Sequence, residues 1–219
     1  MEVRMKKIHT VALALAVALV LAPRNSEALQ SDRGYGQDWM ILGEYLGTDG
    51  NPGVDVMRQD FLQGGGITEA TFANSLPTSG QAINTDFGAS PASSFDPAPR
   101  TFAAPTVIYW VDSDEGVDYD ADVFDDTENS MAYSWTNALN KTGAPLDVRF
   151  GVSSDDSFIL YLNGTEVMFH EGGRGWGGAD TAQNVSDPVT LNPGNNVVMI
   201  KTFQGGGGMG FRCRMQTND

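Results

Sequence analysis

The adjacent carboxylates Asp155 and Asp156, at the entrance to the run Phe158-Ile159-Leu160-Tyr161-Leu162, have the chemistry to hold a hard cation. Calcium takes roughly six to eight oxygen ligands, several of them carboxylate. Neighbouring aspartates also shape tight turns by accepting from nearby backbone N–H groups, so the pair carries two readings. Further along, Gly172-Gly173-Arg174-Gly175-Trp176-Gly177-Gly178 places a guanidinium and an indole in a glycine-rich loop. A sugar ring is gripped by a flat apolar face and a few fixed polar groups, and glycines let backbone approach a ligand closely. Asp155, Asp156, Arg174 and Trp176 are therefore the candidate carbohydrate-binding set, with Asp155 and Asp156 also the candidate metal ligands. In the competing reading Trp176 folds back over the edge of the domain and Arg174 pairs with Asp180 or another acid.

Asp112 to Glu128 carries nine carboxylates, and Asp118, Asp120 and Asp122 have the 1-3-5 spacing of a calcium loop. Val123 stands where that loop needs glycine and Asn129 where it needs a bidentate glutamate, so the motif fails. A looser cation site and a solvated acidic loop remain as alternatives. The glycine loop has no Gly-Lys-Ser/Thr ending, which excludes a nucleotide-binding P-loop. Beyond residue 28 the chain has one histidine, His170, one cysteine, Cys213, and no Gly-x-Ser-x-Gly. Cys-His and Ser-His-Asp chemistry are accordingly remote. A glycosidase needs only two carboxylates about 5–9 Å apart, so counting acids does not exclude one.

The elements that would position these residues read as strands. Trp39 to Gly43, Thr106 to Val111, Met131 to Trp135 and Leu146 to Val152 are β-branched, aromatic or alternating. Phe158 to Leu162 and Thr165 to His170 flank Asn163-Gly164, a two-residue hairpin turn in which both positions take positive φ. Pro188 to Leu191, Asn196 to Phe203 and Gly210 to Met215 complete the set, the last with Phe211, Cys213 and Met215 on one face. Buried there, Cys213 acts as a small hydrophobe. Val54, Met57, Phe61 and Leu62 recur at helical spacing, which predicts one short N-terminal helix ended by Gly64-Gly65-Gly66. Asn74 to Pro105 lacks periodicity and reads as a long irregular loop. Short strands with frequent turns predict an all-β chain folded as a single sandwich.

Ser153 to Val167, with its paired aspartates and Leu162-Asn163-Gly164, resembles the hairpin of galactose-binding-like, jelly-roll β-sandwich modules. Similar stretches continue through Val189 to Lys201, Gly205 to Gly208 and Gly210-Phe211-Arg212, and Trp39 to Gly43 resembles an opening strand of such modules. The Asp155-Asp156 hairpin is also similar to sugar-binding domains of the protective-antigen type, in which a paired aspartate holds calcium that grips sugar hydroxyls. The resemblance implies a non-catalytic carbohydrate-binding module, assisted by Ca2+, whose partner is a polysaccharide or glycoconjugate. A structural or adhesive surface protein binding envelope or matrix proteins is the alternative, and a small glycoside hydrolase or lyase a third. Only Asp155 and Asp156 carry over as calcium ligands.

The first 28 residues bear on where such a module works. Arg4, Lys6 and Lys7 precede the unbroken apolar run Val11 to Ala22, and Ser26-Glu27-Ala28 offers small residues for cleavage. This is the layout of a secretory signal; the run is shorter than the roughly 20 residues of a membrane span. Residues 29–37 then form a flexible segment and 38–219 the sandwich, in a secreted, extracellular or periplasmic protein. Of 13 basic and 28 acidic residues the first 28 positions hold four and two, leaving 9 and 26 and a formal charge of −17. Such a surface repels phosphates and anionic lipid, so neither nucleic acid nor membrane insertion is expected. A single cysteine permits no internal disulfide.

Overall fold

A computed structural model describes residues 38–46, 57–58, 60–61, 68–74, 108–112, 116–122, 129–177 and 182–217. The expected signal over residues 1–28, the segment 29–37, most of the expected Asn74 to Pro105 loop, and Gly178 and Asp180 lie outside the described residues.

Eleven described strands form two antiparallel sheets. One sheet runs β2 (Ile108–Asp112), β1 (Asp38–Leu46), β4 (Ser130–Asn140), β10 (Gly194–Gln204), β6 (Ser157–Leu162), β7 (Thr165–His170). The other runs β3 (Val117–Asp118), β11 (Gly210–Thr217), β5 (Leu146–Asp155), β8 (Asn184–Val185), with β9 (Val189–Leu191) also pairing β5. The alternation that marked β5 and β11 is used as expected: Val148, Phe150, Val152, Phe211 and Cys213 face Trp39, Ile41, Phe158, Leu160, Val198 and Ile200 across the interior. Apolar area removed from water on these facing sides is what drives the sheets together. Trp39 meets Phe211 edge-on at 4.7 Å between centroids. Burial pushes the Cys213 thiol up to about 12, so it stays protonated and inert.

The Asn-Gly hairpin forms as its sequence requires. Leu162 pairs with Thr165, and Asn163 and Gly164 turn at φ 48 and 80. Asn163 then ties the turn to β10, accepting from Val197 N at 2.9 Å and donating to Asn196 Oδ1 at 2.8 Å.

The six-stranded sheet is covered on both faces along its central strands, β4, β10 and β6. Its outer side carries a second cluster, Met40, Leu42, Met131, Tyr133, Trp135, Ile159, Met199 and Phe203, packed with Met57, Phe61 and Ala73. Of the helix predicted over Val54 to Leu62, only Met57, Arg58, Asp60 and Phe61 are described; Met57 is helical, and both Met57 and Phe61 are buried. A four-residue helix that the sequence did not suggest, α1 (Glu69–Phe72), follows, capped by Thr68, whose hydroxyl accepts from Thr71 N. The acidic stretch likewise holds more structure than a solvated loop: β3 and a helical turn, α2 (Tyr119–Asp122).

Candidate functional site

The strand β5 ends at Asp155, and a cis peptide bond joins it to Asp156 before β6 begins. The two carboxylates meet different surroundings. Asp156 is buried, and its Oδ1 accepts from Arg174 N at 2.7 Å while Oδ2 accepts from Gly205 N at 2.9 Å. It thereby fastens both glycine-rich loops, 171–177 and 205–208, to the β5–β6 junction. Asp155 is half-buried between those loops: a Cβ at Gly175 or at Gly208 would lie 4.0 Å from its Oδ2. Burial, followed by the like charges of Asp156 and Asp120, pushes its carboxyl up to about 6, against a backbone hydrogen bond from Trp176.

Asp120 enters this group from α2. Its Oδ2 accepts from Met209 N at 3.1 Å and would lie 3.4 Å from a Cβ at Gly208. The spacing of Asp118, Asp120 and Asp122 drew attention to the segment, but nothing in it showed that Asp120 reaches the loop before β11. Asp118 has a local task, accepting from Ala121 N at 3.1 Å.

Arg174 lies beside the paired aspartates with its guanidinium already engaged. Nε donates to Ser154 O at 3.2 Å, Nη2 to Ser154 Oγ at 2.8 Å and Nη1 to Asn184 Oδ1 at 2.6 Å. Among the described residues its side-chain partners are thus a serine and an asparagine; Asp180, the acid that one sequence reading named, lies outside them. Burial lowers its pKa, and the charges of Asp155 and Asp156 oppose that. Trp176 turns back onto β11: its ring occupies the space a Cβ at Gly210 would need, and the Arg212 guanidinium lies 4.7 Å from the ring centroid. Arg212 also donates to Gly177 O at 2.6 Å, closing the loop on the sheet.

The four sequence candidates are therefore brought together at one end of the sandwich, in distinct postures. Asp155 is the part-exposed carboxylate of the pair; Asp156 and Arg174 hold loops; Trp176 packs on the edge. Gln204 is an addition that sequence reasoning missed, and so is the place of Asp120 beside Asp155. Gln204, fully buried at the end of β10, has neither amide atom hydrogen-bonded among the described residues, and its Nε2 would lie 3.9 Å from a Cβ at Gly207. His170 sits on β7 with its pKa lowered by burial and by the Arg174 charge. Among the described residues no three His, Cys, Asp or Glu side chains converge as a preformed metal cluster.

No protein-family model matches the chain, and no curated protein does. Among solved structures the fold is similar to the PA14 sugar-binding domain from an RTX adhesin, at 22% identity over 44% of this chain and 51% of that one, with a TM-score of 0.33. It is similar to a beta-glucosidase from Kluyveromyces marxianus in complex with glucose, at 16% identity over 55% and 15%, TM-score 0.42. A Ruminococcus gnavus beta-glucuronidase matches at 17% identity over 78% and 20%, TM-score 0.33. The chain spans about half the length of the first and a fifth or less of the other two. These likenesses concern the fold.

Proposed function

We propose that the chain is a secreted, non-catalytic carbohydrate-binding module that takes a polysaccharide or glycoconjugate at the Asp155 end of the sandwich, with calcium assisting. The observation that carries this reading is Asp155 itself: a part-exposed carboxylate between two glycine loops, pushed up to about 6 by burial and by the aspartates around it. The Arg174 guanidinium that senses this charge is turned onto Ser154 and Asn184, and a divalent cation would supply direct compensation. Carboxylate oxygens are the hard donors that calcium takes. Asp155 and Asp156 would be the ligands, Asp156 through the lone pairs its two N–H contacts leave free. A bound calcium would supply a point of attachment for sugar hydroxyls. This chain's own residues do the positioning: Asp156 and Arg174 set the loops, and Trp176 offers an aromatic edge beside them. The paired-aspartate hairpin that the sequence shares with protective-antigen-type sugar-binding domains supports the same reading.

The test is a glycan array probed with the folded protein, with calcium and with a chelator. Binding to a defined glycan class that weakens on chelation and is lost in Asp155→Asn is the expected result. Silence on every glycan from a protein with intact circular dichroism sinks the proposal. Capture of envelope or matrix proteins in that case would favour an adhesive role, and release of reducing ends would favour catalysis.

A further inference from the structure

Lys201 is the residue of β10 that a sandwich core least explains. It is fully buried on the outer face of the six-stranded sheet, beneath the segment that carries Phe61 and Glu69. Its Nζ lies 2.9 Å from Glu69 Oε1 and 4.6, 5.3 and 5.5 Å from the ring centroids of Phe61, Tyr133 and Phe203. The two groups form a buried ion pair, each held by the other's charge, so the amine sits directly against the carboxyl group. Glu69 is itself 8% exposed. Two charges taken this far from water cost more than a surface pair regains, and the aromatic walls keep solvent from competing for either group.

We propose that Lys201 and Glu69 condense in the folded protein, joining Nζ to Cδ in an intramolecular isopeptide bond and releasing one water. Transfer of the ammonium proton to the carboxylate gives a neutral amine beside a neutral acid. Burial favours that form on both sides, since it lowers the lysine pKa and raises the glutamate pKa, each against the pull of the partner's charge. The amine lone pair attacks Cδ and its proton passes to a carboxyl oxygen. The C–O bond then breaks with departure of water, leaving the amide. One N–C bond forms and one C–O bond breaks, with no oxidation or reduction. Tyr133 hydrogen-bonds the Glu69 carboxyl, which supplies a donor for the oxygen that gains charge during attack. Asp60 accepts from Glu69 N at 2.8 Å, which fixes the Glu69 backbone, and its charge acts on both reactants. Holding the reacting groups together in a dry pocket replaces the activation that amide formation needs in water.

The intact mass of the folded wild-type protein, counted from the N-terminal residue found by peptide mapping, is expected to fall one water short of its sequence. Trypsin is expected not to cut after Lys201, so that peptide 175–212 is recovered joined to peptide 59–100. Lys201→Met and Glu69→Ala are each expected to restore the full mass. A folded wild-type protein of full sequence mass overturns the proposal, and so does a water lost within any other peptide.

Discussion

At the scale of single residues, Asp155 acts through its charge and Arg174 through its geometry. The Asp155 carboxyl is raised in the folded state, so the folded protein binds its proton more tightly than the unfolded chain does. Its contribution to stability is therefore most favourable below the unfolded value near 4 and is lost as pH rises through about 6. Thermal midpoints measured without divalent cations should fall across that window, and Asp155→Asn should flatten the fall. Calcium added at about pH 7, above the folded pKa, should restore the midpoint of the wild type and not of Asp155→Asn. Arg174 works through geometry, with three donors placed on Ser154 and Asn184. Arg174→Ala should cost about 2–3 kcal/mol in a urea titration, and Arg174→Lys should recover only part of it, because an ammonium cannot reproduce the planar fork. In the sequence Asp155 stood out by its adjacency to Asp156 and Arg174 by its place in a glycine-rich loop. Their division of labour was not: whether an aspartate faces solvent or backbone N–H groups depends on residues 18 and 49 positions away, Arg174 and Gly205. Asp120 was obscured in the same way, since it touches Met209 across 89 positions.

At the scale of elements, glycine decides how the loops lie on the sheet. Gly210 leaves the space that the Trp176 ring fills. Gly210→Ala should expel the ring, separate it from Arg212 and cost about 1–3 kcal/mol, with a red shift in tryptophan emission as the readout. At the opposite end of β10 the buried Asn196 accepts from Asn163 Nδ2 and Asn192 N and donates to Ala138 O, Asn192 O and Gly194 O. Asn196→Ala leaves several of these groups unsatisfied inside the protein and should cost about 3 kcal/mol by denaturant midpoint, against near-neutral change at exposed Asn195. The Asn-Gly turn was readable because both positive-φ positions follow from local sterics. The lock that Asn196 places on it was not, as it joins a turn to a strand 33 positions away.

At the scale of the molecule, periodicity and turn chemistry carried most of the strand order into view: nine strands were expected near where β1, β2, β4 to β7 and β9 to β11 lie. The two missed, β3 and β8, are two residues long, too short for any alternation to register. Lys201 was passed over for a related reason. It stands in a run that is apolar on both sides, and only the second layer formed by Phe61 and Glu69 explains why a lysine there is covered. The sheets also impose an order on assembly. β10 lies between β4 and β6, and β11 between β3 and β5, so the two described strands that come latest in the sequence occupy interior places in both layers. While a ribosome is still adding residues 194–217, the earlier strands can pair only as separate pieces, β2-β1-β4, β6-β7 and β5 with β8 and β9, because β10 is what joins β4 to β6 and β11 what joins β3 to β5. The domain must remain open until synthesis has passed β11, and only then collapse through contacts between distant parts of the chain, a slow class of folding reaction. A nascent chain stalled before residue 194 should be cut readily by protease, whereas one extended past residue 217 and clear of the exit tunnel should resist it.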